Sequence, residues 1–387
     1  MKKKIISALL ILAILLAAVY YFIIRERYLD NLHTPVKIEN YSKDLQGVEA
    51  LIDWYYETYH IPAISAGIIE NGKVVKYISR GSFTRQNKKK VDEHSYYQIA
   101  STSKTFTGII VKSLELEGKL DVDKKIINFL GNKLSAEAQK KLGEITLRQV
   151  LYHRSGLGRS WNGYSEEDLL KALNEEALEF QPNEIYQYSN FGYALITYLM
   201  EQETNKTYRQ LLKEYVSERY DLPDLEVDVT KIAPENLVTP YWKHFRLRDG
   251  RTIDFGLQVG GGGIFTNTKT LSQLAVKQME AYEQFDSLKN SSPLILTHPK
   301  GVAWQDNFYG YGLFEFNYEF DDYPEITITN LEHGGDADGF ACIYDYFPAY
   351  KNGVVVQTSS GGKWLYEMIY HLNGLLVRKY LEEHEMG

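Results

Sequence analysis

Ser101 and Lys104 stand three residues apart in the run Ile99-Ala100-Ser101-Thr102-Ser103-Lys104-Thr105-Phe106, just after the strand-like Tyr96-Tyr97-Gln98-Ile99 and at the start of an apolar-periodic segment. On a helix this spacing sets a hydroxyl and an amine one turn apart on the same side, close enough to touch. A serine hydroxyl is a poor nucleophile until a neighbour takes its proton, and a lysine can take it only if burial leaves the amine neutral. The helix N-terminus adds N–H groups and a positive dipole end that suit an oxyanion. The chemistry this pair offers is acyl transfer through a covalent serine intermediate. Further along the chain come Tyr188-Ser189-Asn190 and then His333-Gly334-Gly335, the latter between strand-like runs. A phenol with a pKa of about 10 is a weak base at neutral pH, so Tyr188 needs a nearby cation such as Lys104 to move protons. The nine histidines show no H-E-x-x-H or comparable ligand spacing, and no G-K-[ST] follows Gly260 to Gly263. The sequence therefore predicts no catalytic metal, no phosphate loop and no cofactor.

Taken together these elements resemble the S-x-x-K, Y-x-N and K-T-G-like signatures of the penicillin-binding protein and serine β-lactamase superfamily. The segments between them resemble its class C β-lactamase-like branch. Glu117-Gly118-Lys119-Leu120-Asp121-Val122-Asp123 is similar to the exit turn of that branch's nucleophile helix, and Thr146 to Leu157 to its T-[LI]-x-x-L-L-x-H-x-S-G-L segment, with Val150 for the first of the paired leucines. Phe180, Pro182, Tyr186, Tyr188, Ser189, Asn190 and Tyr193 fit its P-x-x-x-[FY]-x-Y-S-N-x-[GN]-[FY] run, and Gly260 to Thr266 its G-G-x-x-S/T turn. The resemblance covers about residues 45 to 375 and reaches to Gram-positive D-alanyl esterase and D,D-carboxypeptidase-like proteins. It implies Ser101 as nucleophile, Lys104 as acceptor or relay of its proton, and Tyr188 as the proton carrier of acylation and deacylation. Asn190 would orient Lys104 or a substrate amide. His333, where many relatives carry lysine, would be a weaker, titratable cation, with Gly335 beside it in substrate orientation. The backbone N–H groups of Ser101 and Asp336 would form the oxyanion hole.

The elements that must position these residues follow from periodicity. The sequence predicts a helix over 44–59, a hairpin of strands 63–69 and 73–78 turning on Asn71-Gly72, and helices over 101–117, 146–153, 165–176, 189–203, 206–218 and 268–285. Strands at 311–318, 325–331, 339–346 and 352–358 precede a last helix over 363–384. The predicted fold class is α/β of the α+β kind. An antiparallel sheet built from both chain ends and flanked by helices carries an inserted all-helical lobe at about 101–300, and the cleft lies between sheet and lobe. Residues 44–387 form this hydrolase domain, after an anchor at 1–28 and a polar juxtamembrane spacer at 29–43.

The anchor is read from Ile5 to Ile24, 20 uncharged residues behind Lys2-Lys3-Lys4. That length suits a transmembrane helix better than a cleaved signal, and no A-x-A site follows. The lysines favour an N-terminus inside, a single pass through the cell membrane and an extracytoplasmic catalytic domain. Net charge is −8, and residues 1–28 are basic, so the remainder is more acidic still; a nucleic-acid partner is excluded on charge. The single cysteine, Cys342, is expected to pack as a small hydrophobe.

The function expected is an acyl-enzyme serine hydrolase acting on D-alanyl groups of a cell-envelope substrate. Asp336 and Asp338 would welcome an ammonium, which favours D-alanyl esters of teichoic acid. A D,D-carboxypeptidase on the peptidoglycan stem peptide is the alternative, and a β-lactamase the third. A non-catalytic sensor or binding module on the same fold needs no nucleophile, base and relay together.

Overall fold

Asn71 and Gly72 both take positive φ, 51° and 71°, the conformation a two-residue type I′ turn requires and Asn-Gly supplies readily. They join β1 (Ala63–Glu70) to β2 (Lys73–Gly81) in the expected hairpin. This computed structural model describes residues 6–7, 10–20, 45–84, 88–175, 178–242, 245–246, 255–296, 303–304, 307–320, 323–337, 339–362 and 364–384. Five further strands add to the hairpin from the C-terminal part of the chain. They are β7 (Asn307–Gly310), β8 (Leu313–Phe320), β9 (Tyr323–Ala337), β10 (Phe340–Phe347) and β11 (Asn352–Thr358). With β6 (Ala303–Trp304) at one edge, the order is β2-β1-β11-β10-β9-β8-β7-β6, and every pairing is antiparallel. The sheet is thus closed by pairing β1 with β11, one from each end of the domain.

Both faces of the central strands β1, β10 and β11 are buried, and these strands are correspondingly apolar on both sides. Ala341, Ile343, Val354 and Val356 pack with Leu51, Ile52 and Tyr55 of α1 (Leu45–Thr58) and with Leu365, Met368, Ile369 and Leu372 of α5 (Trp364–His384). The alternate residues Cys342, Tyr344 and Val355 turn to the other face and join the core of the helical lobe. There they meet α4 (Thr268–Glu283), while α2 (Ser103–Leu116) and α3 (Asn190–Thr204) form the lobe's interior. A small sheet ties β3 (Tyr97–Gln98) to β5 (Phe265–Thr266) and β4 (Leu225–Glu226), so the strand leading to Ser101 is fixed inside the lobe. Cys342 is fully buried, as expected of a small hydrophobe.

The N-terminal expectation meets a limit. Leu10 to Tyr20 are helical with their large apolar side chains exposed. Among the described residues no helix is long and apolar enough to cross a membrane, so the structure does not support the spanning helix. The rest of the Ile5–Ile24 stretch, apart from Ile6 and Ser7, and the whole 29–43 spacer lie outside the described residues.

One buried carboxyl makes the fold sensitive to pH. Asp345 is fully buried between β10 and α5, accepting from Asn330 Nδ2 and Asn373 Nδ2, each at 2.7 Å. Burial pushes its pKa up to about 7, against the pull of those two amides. A carboxyl with a raised folded pKa stabilises the fold fully below its unfolded pKa, and this contribution is lost as pH rises through the folded value. Asp345→Asn removes the effect; its new amide N–H takes the place of an oxygen that accepts from an asparagine Nδ2, so the facing Asn330 or Asn373 amide turns over to present its Oδ1, which has no partner. Urea melts of the variant should therefore gain on wild type by roughly 2 to 4 kcal/mol between pH 4.5 and pH 8. A constant difference between the two proteins across that range would contradict the assignment.

Candidate active site

Ser101 sits in a single 3-10 turn, Ala100–Thr102, that leads into α2. Ala100, just before it, is held at φ 45°, a left-handed conformation sparsely used by residues with a Cβ. The Ser101 hydroxyl caps neither the turn nor the helix, whose N-caps are Ile99 and Thr102 without side-chain cap bonds. It is left free for Lys104.

The Lys104 side chain is fully buried. Its Nζ lies 3.2 Å from Ser101 Oγ, 2.9 Å from Asn190 Oδ1 and 2.6 Å from the carbonyl of Gly261. A carbonyl oxygen only accepts, so Gly261 takes one N–H, and the Asn190 oxygen takes a second. A neutral amine then has its lone pair left for the Ser101 proton. Burial supplies the neutral amine by lowering the Lys104 pKa to about 7. Gly261, in the helical turn Val259–Gly262, is a functional residue the sequence argument did not single out; the run of four glycines was its only signal.

Tyr188 completes the group. Its ring centroid is 4.9 Å from Lys104 Nζ, and the Ser101 hydroxyl is its hydrogen-bond partner. Burial raises the phenol pKa and the bond to Ser101 opposes that rise, so the phenol is protonated at neutral pH. Asn190 is the first residue of α3, but the cap is its neighbour Ser189, whose Oγ accepts from Gly192 N–H at 2.9 Å. The Asn190 amide is therefore free to hold Lys104.

The third motif lies on β9. Strand pairing with β8 stops at Phe314–Glu332, so residues 333–337 are paired on the β10 side alone. Here the strand passes the nucleophile turn closely. Thr102 Oγ1 donates to the His333 carbonyl at 3.1 Å, and a Cβ on Gly335 would fall 2.2 Å from Ile99 O and 2.9 Å from Ser101 N. Only glycine fits at 335.

His333 corrects an expectation. It is buried, its Nδ1–H donating to Gly334 O at 2.7 Å while Nε2 lies 3.4 Å from Tyr309 Oη. Burial first, and the Lys104 charge second, lower its pKa to about 3. It is a neutral imidazole within a group of aromatic rings, including Tyr309 and Phe314, and not the titratable cation predicted. Asp336 is exposed as a residue, yet its carboxylate packs on the backbone of Gly361, and that desolvation raises its pKa. Asp338 lies outside the described residues.

Ser101, Asn190, Gly261 and Asp336 line one cavity of about 260 Å³, together with Gln98, Tyr164 and Phe255. Tyr164 and Phe255 also border a second cavity of about 600 Å³. The arrangement can perform serine acylation: nucleophile, neutral amine and phenol converge, and Ser101 N–H stands close against the β9 backbone at Gly335.

The chain is similar in sequence and fold to known proteins. The β-lactamase family model matches residues 48–370. Protein flp of Staphylococcus aureus (strain MW2) is 24% identical over 350 residues, covering 86% of this chain and 66% of flp. The chain thus spans about two thirds of the length of that relative. Penicillin-binding protein 4* of Bacillus subtilis is 26% identical over 180 residues, 43% of this chain and 38% of that protein. The octameric penicillin-binding protein homologue from Pyrococcus abyssi shares the fold, with a TM-score of 0.69 at 21% identity over 88% of this chain and 78% of its own. With its helical lobe inserted in a sheet from both chain ends, and Ser101, Lys104 and Tyr188 meeting between them, the chain belongs to the β-lactamase family of serine β-lactamase and penicillin-binding-protein-like hydrolases.

Proposed function

We propose that the protein is an acyl-enzyme serine hydrolase of the cell envelope, held at the membrane by its N-terminal apolar segment, and that its substrates are D-alanyl esters of teichoic acid. The observation that carries the hydrolase reading is the buried Lys104 amine 3.2 Å from Ser101 Oγ. In this reading Lys104 takes the Ser101 proton during attack, Tyr188 returns a proton to the leaving oxygen, and a water then releases the acyl group by the reverse relay. Developing oxyanion charge falls on the N–H groups of Ser101 and Asp336.

Charge supports the ester over the peptide. Among the described residues lining the Ser101 cavity, Asp336 is the only charged one, and His333 is neutral. A D,D-carboxypeptidase must hold a substrate carboxylate, which an acidic cleft repels, whereas a D-alanyl ester presents a free ammonium. The neighbouring 600 Å³ cavity offers room for the polymer beyond the scissile ester.

The purified protein should release D-alanine from D-alanylated lipoteichoic acid faster than from a stem pentapeptide. Asp336→Asn should weaken the first reaction selectively, by about five- to a hundredfold, the scale of one ionic contact in a partly desolvated cleft. Efficient release from the pentapeptide alone, unchanged in Asp336→Asn, would make the D,D-carboxypeptidase the better reading.

A further inference from the structure

His153 stands just past the short helix Leu147–Leu151 and holds two unfavourable features at once. Its φ is 58°, and its Nε2 is buried with no hydrogen-bond partner. Such costs persist where the surroundings use the residue for something else. Here they are set against a two-point grip on the Tyr188 segment. The His153 carbonyl accepts from Gln187 N–H at 2.8 Å, and its Nδ1 accepts from Ser189 N–H at 3.0 Å. The backbone is thus held on each side of Tyr188 by one residue. Because Nδ1 accepts, the ring proton lies on Nε2. The imidazole also packs on the phenol itself, with ring centroids 4.4 Å apart, and on Tyr309 at 4.5 Å.

We infer that His153 is a positioning residue for Tyr188, fixing the phenol against Ser101 and Lys104 through the Ser189 and Gln187 amides. It deepens the proposed hydrolase reading and rests on Tyr188 as the proton carrier. Burial above all holds the imidazole far below its usual pKa, so Nδ1 remains an acceptor over the working range. A protonated ring would set Nδ1–H against Ser189 N–H and release the grip.

The test uses His153→Phe, His153→Ala and His153→Asn with a chromogenic ester, and repeats the first in a Tyr188→Phe background. Phenylalanine keeps the ring and loses the acceptor. Alanine and asparagine both lose the ring, but only asparagine keeps an acceptor at the δ position. Because a misplaced relay of about 1 Å costs about 10²-fold, His153→Phe and His153→Ala should lower kcat by about 10- to 100-fold with KM within about threefold. His153→Asn should retain kcat within about fivefold of wild type. In the Tyr188→Phe background, His153→Phe should cost less than about twofold more, because the hydroxyl it positions is gone. Wild-type kcat in His153→Phe, equal losses in the Asn and Ala variants, or an undiminished loss in the Tyr188→Phe background would each overturn the inference. A fully active Tyr188→Phe would remove the relay reading beneath it. A damaged Tyr188→Phe beside an intact His153→Phe overturns the positioning role alone.

Discussion

Ser101→Ala should lower hydrolysis of a chromogenic ester by on the order of 10⁴-fold or more, with a melting temperature within about 2 °C of wild type. The loss is large because the substitution removes the atom that forms the acyl bond, and neither neighbouring hydroxyl on the nucleophile turn is free to take its place against Lys104. Thr102 Oγ1 is turned away to the His333 carbonyl, and Ser103 Oγ is engaged by Ile264 N–H at 3.1 Å. The fold is spared because the Ser101 hydroxyl caps no helix and its removal opens little space beside the cavity. A well-folded variant with most of its activity would remove Ser101 from the chemistry.

The second large effect belongs to Lys104. Its amine is useful as a base only when neutral, so kcat/KM should rise with pH through about 7 and level off above, following the burial-lowered pKa. Lys104→Met should cost about 10²- to 10⁴-fold in kcat and abolish that acid limb. Stability supplies an independent readout. Between about 7 and the unfolded value of about 10.4 the unfolded chain binds the proton and the folded chain does not, so stability gains with rising pH in that window. The gain is lost as pH falls through 7, where a buried ammonium must form. Urea melts of wild type and Lys104→Met should differ by an amount that grows with pH across the window and is flat above it. A parallel pair of curves would mean that the Lys104 pKa is ordinary. Tyr188→Phe should also lower kcat, and the double variant should lose less than the sum, since both residues serve one proton path.

How much of this was legible in the sequence depends on the range of the interaction involved. Local signals carried well. Asn71-Gly72 set the hairpin through its own φ preferences, and the helical stripe Val48, Leu51, Ile52 and Tyr55 set α1, since each depends on neighbours a few residues away. The Ser101–Lys104 contact was local too, one helical turn. What failed was set by distant packing. The sequence places a strand over 325–331 and His333-Gly334-Gly335 beyond it, yet β9 runs to Ala337, as glycine at 335 is what the close passage of Ile99 and Ser101 demands. His333 reads as a cation in isolation; its neutrality comes from burial among Tyr309, Phe314 and Tyr188, which lie far from it in the chain or on other elements. Gly261 contributes a carbonyl, which no side-chain pattern can announce, and His153 acts through a backbone it meets only after folding. Motif order located the site. Tertiary burial decided which charges it keeps.

The central claim is that Ser101, activated by Lys104, carries the acyl group. Intact-mass spectrometry of the protein quenched during turnover of an activated D-alanyl or acetyl ester, followed by peptide mapping, tests it most directly. The account predicts an adduct of one acyl mass on the peptide containing Ser101, accumulating more slowly below pH 7 and absent in Ser101→Ala. Sustained turnover with no adduct, or an adduct on another residue that persists in Ser101→Ala, would contradict it.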